Sequence, residues 1–171
     1  RPHSHARLPG SRMVVQDSVT VVATLRTAVS STGIFGKWHR GDKYPLRASD
    51  QGVQEALVLR GGWIGQPSDP PGGEGKYTDP ILFRNGQAVA MKSSCTGASF
   101  DEGMTWADPA VRERKPFFLY LPTNAPHGPF DAVPREKYDY YKRQTIAADR
   151  FPTVGGHPAA KNLNPDTLAR V

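Results

Sequence analysis

Two short segments carry side chains that could handle an anionic substrate, and the first is centred on Trp38. Lys37 and His39 flank the tryptophan, so in an extended segment both would point to one side and the indole to the other. A lysine ammonium is a compact charge with three donors, and a histidine can donate, accept or transfer a proton near neutral pH. This pair suits the binding of a charged ester and proton transfer at it. Without further context, a Lys-x-His pair on a loop is more often only solvated.

The second segment surrounds His127. It follows the most apolar run of the chain, Phe117 to Leu121, and three prolines lie around it: Pro122, Pro126 and Pro129. Prolines stiffen a loop and lower the entropic cost of holding an imidazole in one place. A hydrogen-bonded histidine that closes a turn is an equally good interpretation of the residues alone.

Each of the two segments follows a helix and an apolar strand. The first helix is predicted from Asp17, with Asp17 or Ser18 as its cap, because apolar residues recur there every three to four positions: Val19, Val22, Leu25 and Val29. Ile34 and Phe35 then indicate a short strand that leads into the Lys37 segment.

A second helix is predicted over about Ala98 to Arg112, although Gly103 and Pro109 weaken the pattern. Phe117 to Leu121 has no polar alternation, which is typical of a strand covered on both faces. In a mainly parallel sheet with right-handed crossovers, the loops after both strands open at the carboxyl edge, where open α/β folds place their sites.

Composition excludes several other classes of protein. The 171 residues include 17 glycines and 16 prolines, too many for a helical bundle, and residues 42 to 92 are an excursion with short strands or a small helix near Gln54 to Leu59. The longest apolar run is five residues, whereas a membrane span needs ~20, so no membrane partner is expected. The net charge is +6, but the basic residues are not clustered, so no nucleic-acid partner is expected.

The two ends of the sequence predict an internal fragment. The residues before Met13 lack the apolar core of a signal peptide. Near the other end, Asn164, Pro165 and Asp166 form a helix-start signal with only five residues after it. Because so short a helix is marginal by itself, we expect the element to continue in a longer protein.

Four segments together resemble type I sulfatases, the formylglycine-dependent family of the alkaline phosphatase superfamily. They are GIFGKWHRGD (33 to 42), DQGVQE (50 to 55), KPFFLYLPTNAPHGPF (115 to 130) and PREKYDYY (134 to 141), and the likeness extends from about residue 13 to the end. The resemblance implies an α/β fold: a partial alkaline-phosphatase-like sandwich, loop-rich, with a mainly parallel sheet flanked by helices. Residues 1–171 would be one partial catalytic domain of an arylsulfatase-like sulfuric ester hydrolase.

The resemblance also implies a role for each candidate residue. Lys37 resembles the lysine that contacts the sulfate and the aldehyde-hydrate nucleophile, and His39 resembles the base hydrogen-bonded to that hydrate. His127 resembles the histidine that binds substrate at the leaving-group oxygen. The expected substrate is a small sulfate ester or a sulfated glycan. The family implies Ca²⁺ or Mg²⁺, whose paired aspartates are absent from this chain.

Several residues depart from the family pattern. Cys95, the only cysteine, lies in C-T-G-A-S instead of C-x-P/A-S-x-R and follows GKWH instead of preceding it, so we expect a buried packing residue and no turnover by this chain alone. Asp42, Asp50 and Asp79 are single acids, expected to be solvated or capping. Arg40 replaces a leucine usual in the family, and it either retunes anion binding or faces solvent.

Two other functions remain open at this level. A phosphodiester or phosphonate monoester hydrolase of the same superfamily would share much of the scaffold, and the nucleophile that separates the classes is missing. A truncated, non-catalytic remnant is the other alternative. The compartment is also undetermined, with a periplasmic or secreted parent protein consistent with the family.

Overall fold

A five-stranded sheet lies at the centre of the fold. The computed structural model describes residues 18–29, 31–59, 76–128, 133–144 and 165–170, and it divides the chain into two units, Arg1–Asn124 and Ala125–Val171. The strands, all in the first unit, are β1 (Ser31–Lys37), β2 (Glu55–Leu59), β3 (Ile81–Arg84), β4 (Gln87–Ala90) and β5 (Phe117–Tyr120).

The order of the strands is β4-β3-β2-β1-β5. Strand β1 pairs in parallel with β2 and with β5, while β3 pairs antiparallel with both of its neighbours. Four strands therefore run in one direction and only β3 runs against them, which confirms the predicted mainly parallel sheet.

Strand β1 lies between two apolar layers. On one face Ile34 belongs to a cluster with Ala48, Val53, Ala56, Val58 and Phe83, and Val22 of the helix α1 (Val21–Leu25) packs against it. Phe35, next along the strand, contacts Trp106 at a ring-centroid distance of 5.7 Å. Trp106 belongs to the helix α2 (Cys95–Arg112), so helices flank the strand on both faces. Successive residues of β1 thus face opposite apolar layers of the core.

Helix α2 matches the predicted second helix and begins three residues earlier. The Ser94 side chain caps it by accepting a hydrogen bond from the Gly97 N–H at 3.1 Å. Pro109 lies near the end of the helix and does not break it. Cys95 is 2% exposed, which confirms the expectation of a buried packing residue.

Two expectations about the elements are corrected, and one alternative is decided. Helix α1 is capped by Thr20, whose hydroxyl accepts from the Ala23 N–H, and not by Ser18; the other expected cap, Asp17, lies outside the described residues. Of the short strand or small helix that the sequence left open near residues 54 to 59, the structure has the strand, because parallel pairing with β1 buries residues 55 to 59. Of the excursion predicted over residues 42 to 92, residues 60 to 75 lie outside the described part of the chain.

The second correction concerns β5, which is not covered on both faces. Its residues are half-buried and Tyr120 is 47% exposed, because β5 pairs only with β1 and lies at the edge of the described sheet. No helix in the part of the chain that the structure describes is long and apolar enough to cross a bilayer.

The second unit contains the helices α3 (Arg135–Lys142) and α4 (Pro165–Arg170). Helix α4 begins where the proline and the aspartate predicted the start of a helix. The Asp166 carboxylate accepts hydrogen bonds from Lys142 Nζ and Arg170 Nε, each at 2.8 Å, and from the Tyr138 hydroxyl. The Tyr138 ring also lies under the Arg170 guanidinium, 4.8 Å away. These contacts join α3 to α4.

We expect the α3–α4 contact to weaken in acid. Hydrogen bonds from Lys142, then Tyr138 and Arg170, hold the pKa of Asp166 well below its ordinary value. The stabilisation is therefore present above the unfolded value of about 3.9 and is lost as the pH falls towards the folded pKa. Amide hydrogen exchange in α3 should show protection at pH 7 that decreases below about pH 4.

Asp166→Asn should lower this protection already at pH 7 and flatten its pH dependence. Asp139→Asn is the matched control, because Asp139 pairs only with Arg135 within α3 in the described residues. Equal effects of the two substitutions would show that Asp166 does not hold the helices together.

Candidate functional site

The ends of β1 and β5 form the walls of an open cleft of about 350 Å³. Its lining residues come from the two segments that follow these strands: Lys37, Trp38, His39, Arg40, Tyr120, Pro122 and Thr123. Because β1 and β5 are parallel neighbours, both segments emerge at the same edge of the sheet. The structure thus brings Lys37 and His39 together in one cleft at the predicted edge.

A close backbone contact between Gly36 and Pro122 fixes the two walls. The Lys37 N–H donates to the Pro122 carbonyl oxygen at 2.7 Å. Gly36 has φ 140°, and a Cβ at this position would lie 2.2 Å from the same oxygen. Only glycine allows this approach, so the residue before Lys37 sets the distance between the walls.

Lys37 is a half-buried cation in this cleft. Burial lowers the pKa of its ammonium from the ordinary value. Within the described ranges no carboxylate forms a salt bridge with it. A cation that is partly desolvated and lacks a carboxylate partner favours the approach of an anion, and such groups concentrate at functional sites.

His39 reaches the cleft by a route that the sequence did not predict. Its φ is 51°, in the left-handed region, so the segment is not extended at this residue. The prediction that Lys37 and His39 point to the same side of an extended segment is therefore wrong. A non-glycine residue in this region carries strain, which proteins retain mostly at functional positions. The turn nevertheless leaves Lys37 and His39 lining one cleft.

Trp38 anchors the segment that carries these groups. Its indole N–H donates to the Leu46 carbonyl oxygen at 2.9 Å, and its ring packs against the apolar cluster on the Ile34 face of β1. Gly41, with φ 138°, allows the chain to pass against Leu46. The indole therefore holds the backbone of Lys37 and His39 to the core.

His127 belongs to the second unit, whereas all the residues that line the cleft belong to the first unit. The side chain is exposed, and its Nδ1 lies 2.8 Å from the Gly128 carbonyl oxygen. This local contact is of the kind that the turn-closing interpretation requires. The leaving-group role of His127 stays a prediction from the resemblance.

The acids of the described ranges do not cluster into a metal site. Among the described residues, no three His, Cys, Asp or Glu side chains lie close enough together to hold an ion. Asp50 instead accepts hydrogen bonds from the Arg47 backbone N–H and guanidinium, which is the expected capping role. The described residues therefore do not fit the Ca²⁺ or Mg²⁺ that the resemblance to sulfatases implies.

Sequence reasoning missed two residues near the cleft. Tyr120 lines it, although the apolar run around this residue indicated a buried position; a phenol at the last position of a strand was the available signal. Asn124 follows the lining residue Thr123 and is 3% exposed, and its Nδ2 donates to the Tyr77 hydroxyl. A buried amide in a loop pattern has no signal in a single sequence.

Comparison with known proteins supports the resemblance. No protein-family model matches the chain. The chain is similar to the uncharacterized sulfatase YdeN of Escherichia coli strain K12, with 36% identity over 66 residues, which are 39% of this chain and 12% of YdeN.

Two solved structures share its fold. One is Ps i-CgsB in complex with k-i-k-neocarrahexaose, at a TM-score of 0.66 and 25% identity, covering 94% of this chain and 34% of that one. The other is the PsFucS1 sulfatase from Pseudoalteromonas sp., at a TM-score of 0.56 and 17% identity, covering 78% of this chain and 34% of that one. The likeness confirms the predicted α/β fold, over about a third of the length of these structures.

Proposed function

We propose that this chain, a homologue of sulfatases by sequence and by fold, supplies the sulfate-binding part of the site of a sulfuric ester hydrolase. The observation that carries the proposal is the cleft in which a half-buried ammonium, Lys37, lies with an imidazole, His39. A sulfate group is a tetrahedral monoanion in an ester, and it needs fixed donors and positive charge on its oxygens.

Each residue has one task in this proposal. Lys37 donates to the non-bridging sulfate oxygens and offsets the charge that gathers there in the transition state. His39 is the base that accepts a proton from the hydroxyl group of the nucleophile. Overall, water adds, the bond from sulfur to the ester oxygen breaks, and that oxygen leaves with a proton as the alcohol.

His127 is proposed to give that proton to the departing oxygen. The support for this role is the sequence motif around His127, since His127 and the cleft belong to different units. An exposed imidazole is chemically able to protonate an alkoxide.

The proposed substrate is the sulfate ester of a small molecule or of a saccharide. Two observations support a saccharide. The cleft is larger than a sulfate group alone requires, and one structural relative was solved with k-i-k-neocarrahexaose. The other residues that line the cleft are aromatic, neutral or, at Arg40, cationic, and none carries a carboxylate that would repel the ester.

An NMR titration with sodium sulfate tests the proposal. At constant ionic strength, we expect saturable shifts of the backbone amides of Lys37, His39, Arg40, Tyr120 and Thr123, with a dissociation constant of about 1 mM, the weak end of specific binding. Shifts confined to the basic residues of α3, or no saturable shift, would contradict sulfate binding in the cleft.

A further inference from the structure

The cleft holds more positive charge than one sulfate group requires. Lys37 and Arg40 both line it, with the His39 imidazole between them in the chain, and no lining residue is acidic. Its volume of about 350 Å³ falls within the range of sites that bind small organic ligands, roughly 300–1,000 Å³. A single monoanionic ester group needs only one positive charge to balance it, and the cleft offers two.

Arg40 has the properties of a second anion-binding group. The residue is exposed and, within the described ranges, forms no salt bridge, whereas Arg47 and Arg84 are each paired with carboxylates. A guanidinium presents a planar fork of donors that matches a sulfate or carboxylate in bidentate geometry. The left-handed turn at His39 is what allows residues on both sides of it to line the same cleft.

Tyr120 adds an aromatic side chain to the lining of the cleft. It is the last residue of β5 and remains 47% exposed inside the cleft, although its neighbours in the strand are half-buried. An aromatic ring with a hydroxyl at one end has an apolar face for the C–H groups of a sugar and a polar edge for its hydroxyls. The cleft thus has a platform as well as charge.

We propose that the cleft selects saccharides with two anionic groups, and that Arg40 is the specificity-determining residue. The ester sulfate lies at Lys37 and His39, the sugar ring packs on Tyr120, and the guanidinium of Arg40 binds a second sulfate or a uronate carboxylate. The inference rests on the proposed sulfate site and assigns to that site a class of substrate.

The test compares dissociation constants from NMR titrations of the whole chain at constant ionic strength. The probes are inorganic sulfate, glucose 6-sulfate, glucosamine 2-N,6-O-disulfate and a sulfated glucuronate. We expect both dianionic sugars to bind about fivefold more tightly than the monosulfate, as an exposed ion pair allows. A gain with only one of them identifies the second group as sulfate or as carboxylate.

Arg40→Gln should abolish this preference, so that the dianionic sugars bind no more tightly than glucose 6-sulfate does. Arg26→Gln is the matched control, because it removes an exposed guanidinium that does not line the cleft. Tyr120→Leu should weaken the binding of all the sugars more than it weakens the binding of inorganic sulfate.

The outcomes separate the two proposals. If inorganic sulfate and glucose 6-sulfate bind but the dianionic sugars gain nothing, or if Arg40→Gln and Arg26→Gln reduce the gain equally, the second subsite is wrong and the sulfate site stands. If inorganic sulfate does not bind at Lys37, both proposals are overturned.

Discussion

Replacing Gly36 by alanine is expected to destabilise the first unit by roughly 3 kcal/mol, from left-handed strain plus overpacking. The new Cβ would lie 2.2 Å from the Pro122 carbonyl oxygen, far inside contact distance, and the backbone has φ 140°. The atom that must move is backbone, and it also accepts the Lys37 N–H. The substitution should therefore separate β1 from the segment after β5 and open the cleft.

Gly86→Ala separates the clash from the backbone effect. Gly86 also has a positive φ, 91°, but a Cβ there meets nothing within 4 Å, so its cost should be about 1 kcal/mol. Urea unfolding followed by tryptophan fluorescence measures both variants. Equal losses of unfolding free energy in the two variants would contradict the close approach at Pro122, because the clash would then add nothing to the cost of the positive φ.

The central layers of the fold could be predicted from the sequence because their patterns are strong. The consecutive residues Ile34 and Phe35 face different layers, and helix α2 has enough periodicity to be recognised despite Pro109. Two parallel strands followed by polar loops then put the candidate residues at one edge. Each of these inferences depends on local pattern and on a general rule of α/β topology.

The failures arise where tertiary context decides. An apolar run such as Phe117 to Leu121 does not report how many neighbours its strand has, so the edge position of β5 was not predictable. The cap of α1 is Thr20 because its hydroxyl also donates to the Gln51 carbonyl oxygen at 2.7 Å, a contact 31 residues away along the chain. Pairwise contacts of this range have no signature in one sequence.

The candidate site was predictable only in part. The types and spacing of Lys37 and His39 indicated anion chemistry, and the parallel strands supplied their location. The left-handed backbone of His39 was not predictable, since histidine adopts it rarely. Arg40 and Tyr120 enter the site through that turn and through the edge position of β5, so their presence in the cleft required the structure.

Replacing Lys37 by alanine is expected to weaken sulfate binding about tenfold or more, since a hydrogen bond to a charged group contributes about 1.5–3 kcal/mol. The lower end applies here because the cleft is open to water. The loss should exceed that of any exposed cation, because Lys37 is half-buried and has no salt bridge among the described residues. The fold should tolerate the change, since removing a partly desolvated charge costs little.

The most direct test is the dissociation constant of inorganic sulfate for Lys37→Ala and for Lys92→Ala, each compared with the unmodified chain by NMR at low, constant ionic strength. Lys92 is an exposed lysine outside the cleft, so both variants lose one positive charge. We expect about a tenfold loss of affinity for Lys37→Ala and less than a twofold loss for Lys92→Ala. Equal losses in the two variants, or unchanged affinity in Lys37→Ala, would contradict the assignment of the cleft as a sulfate site.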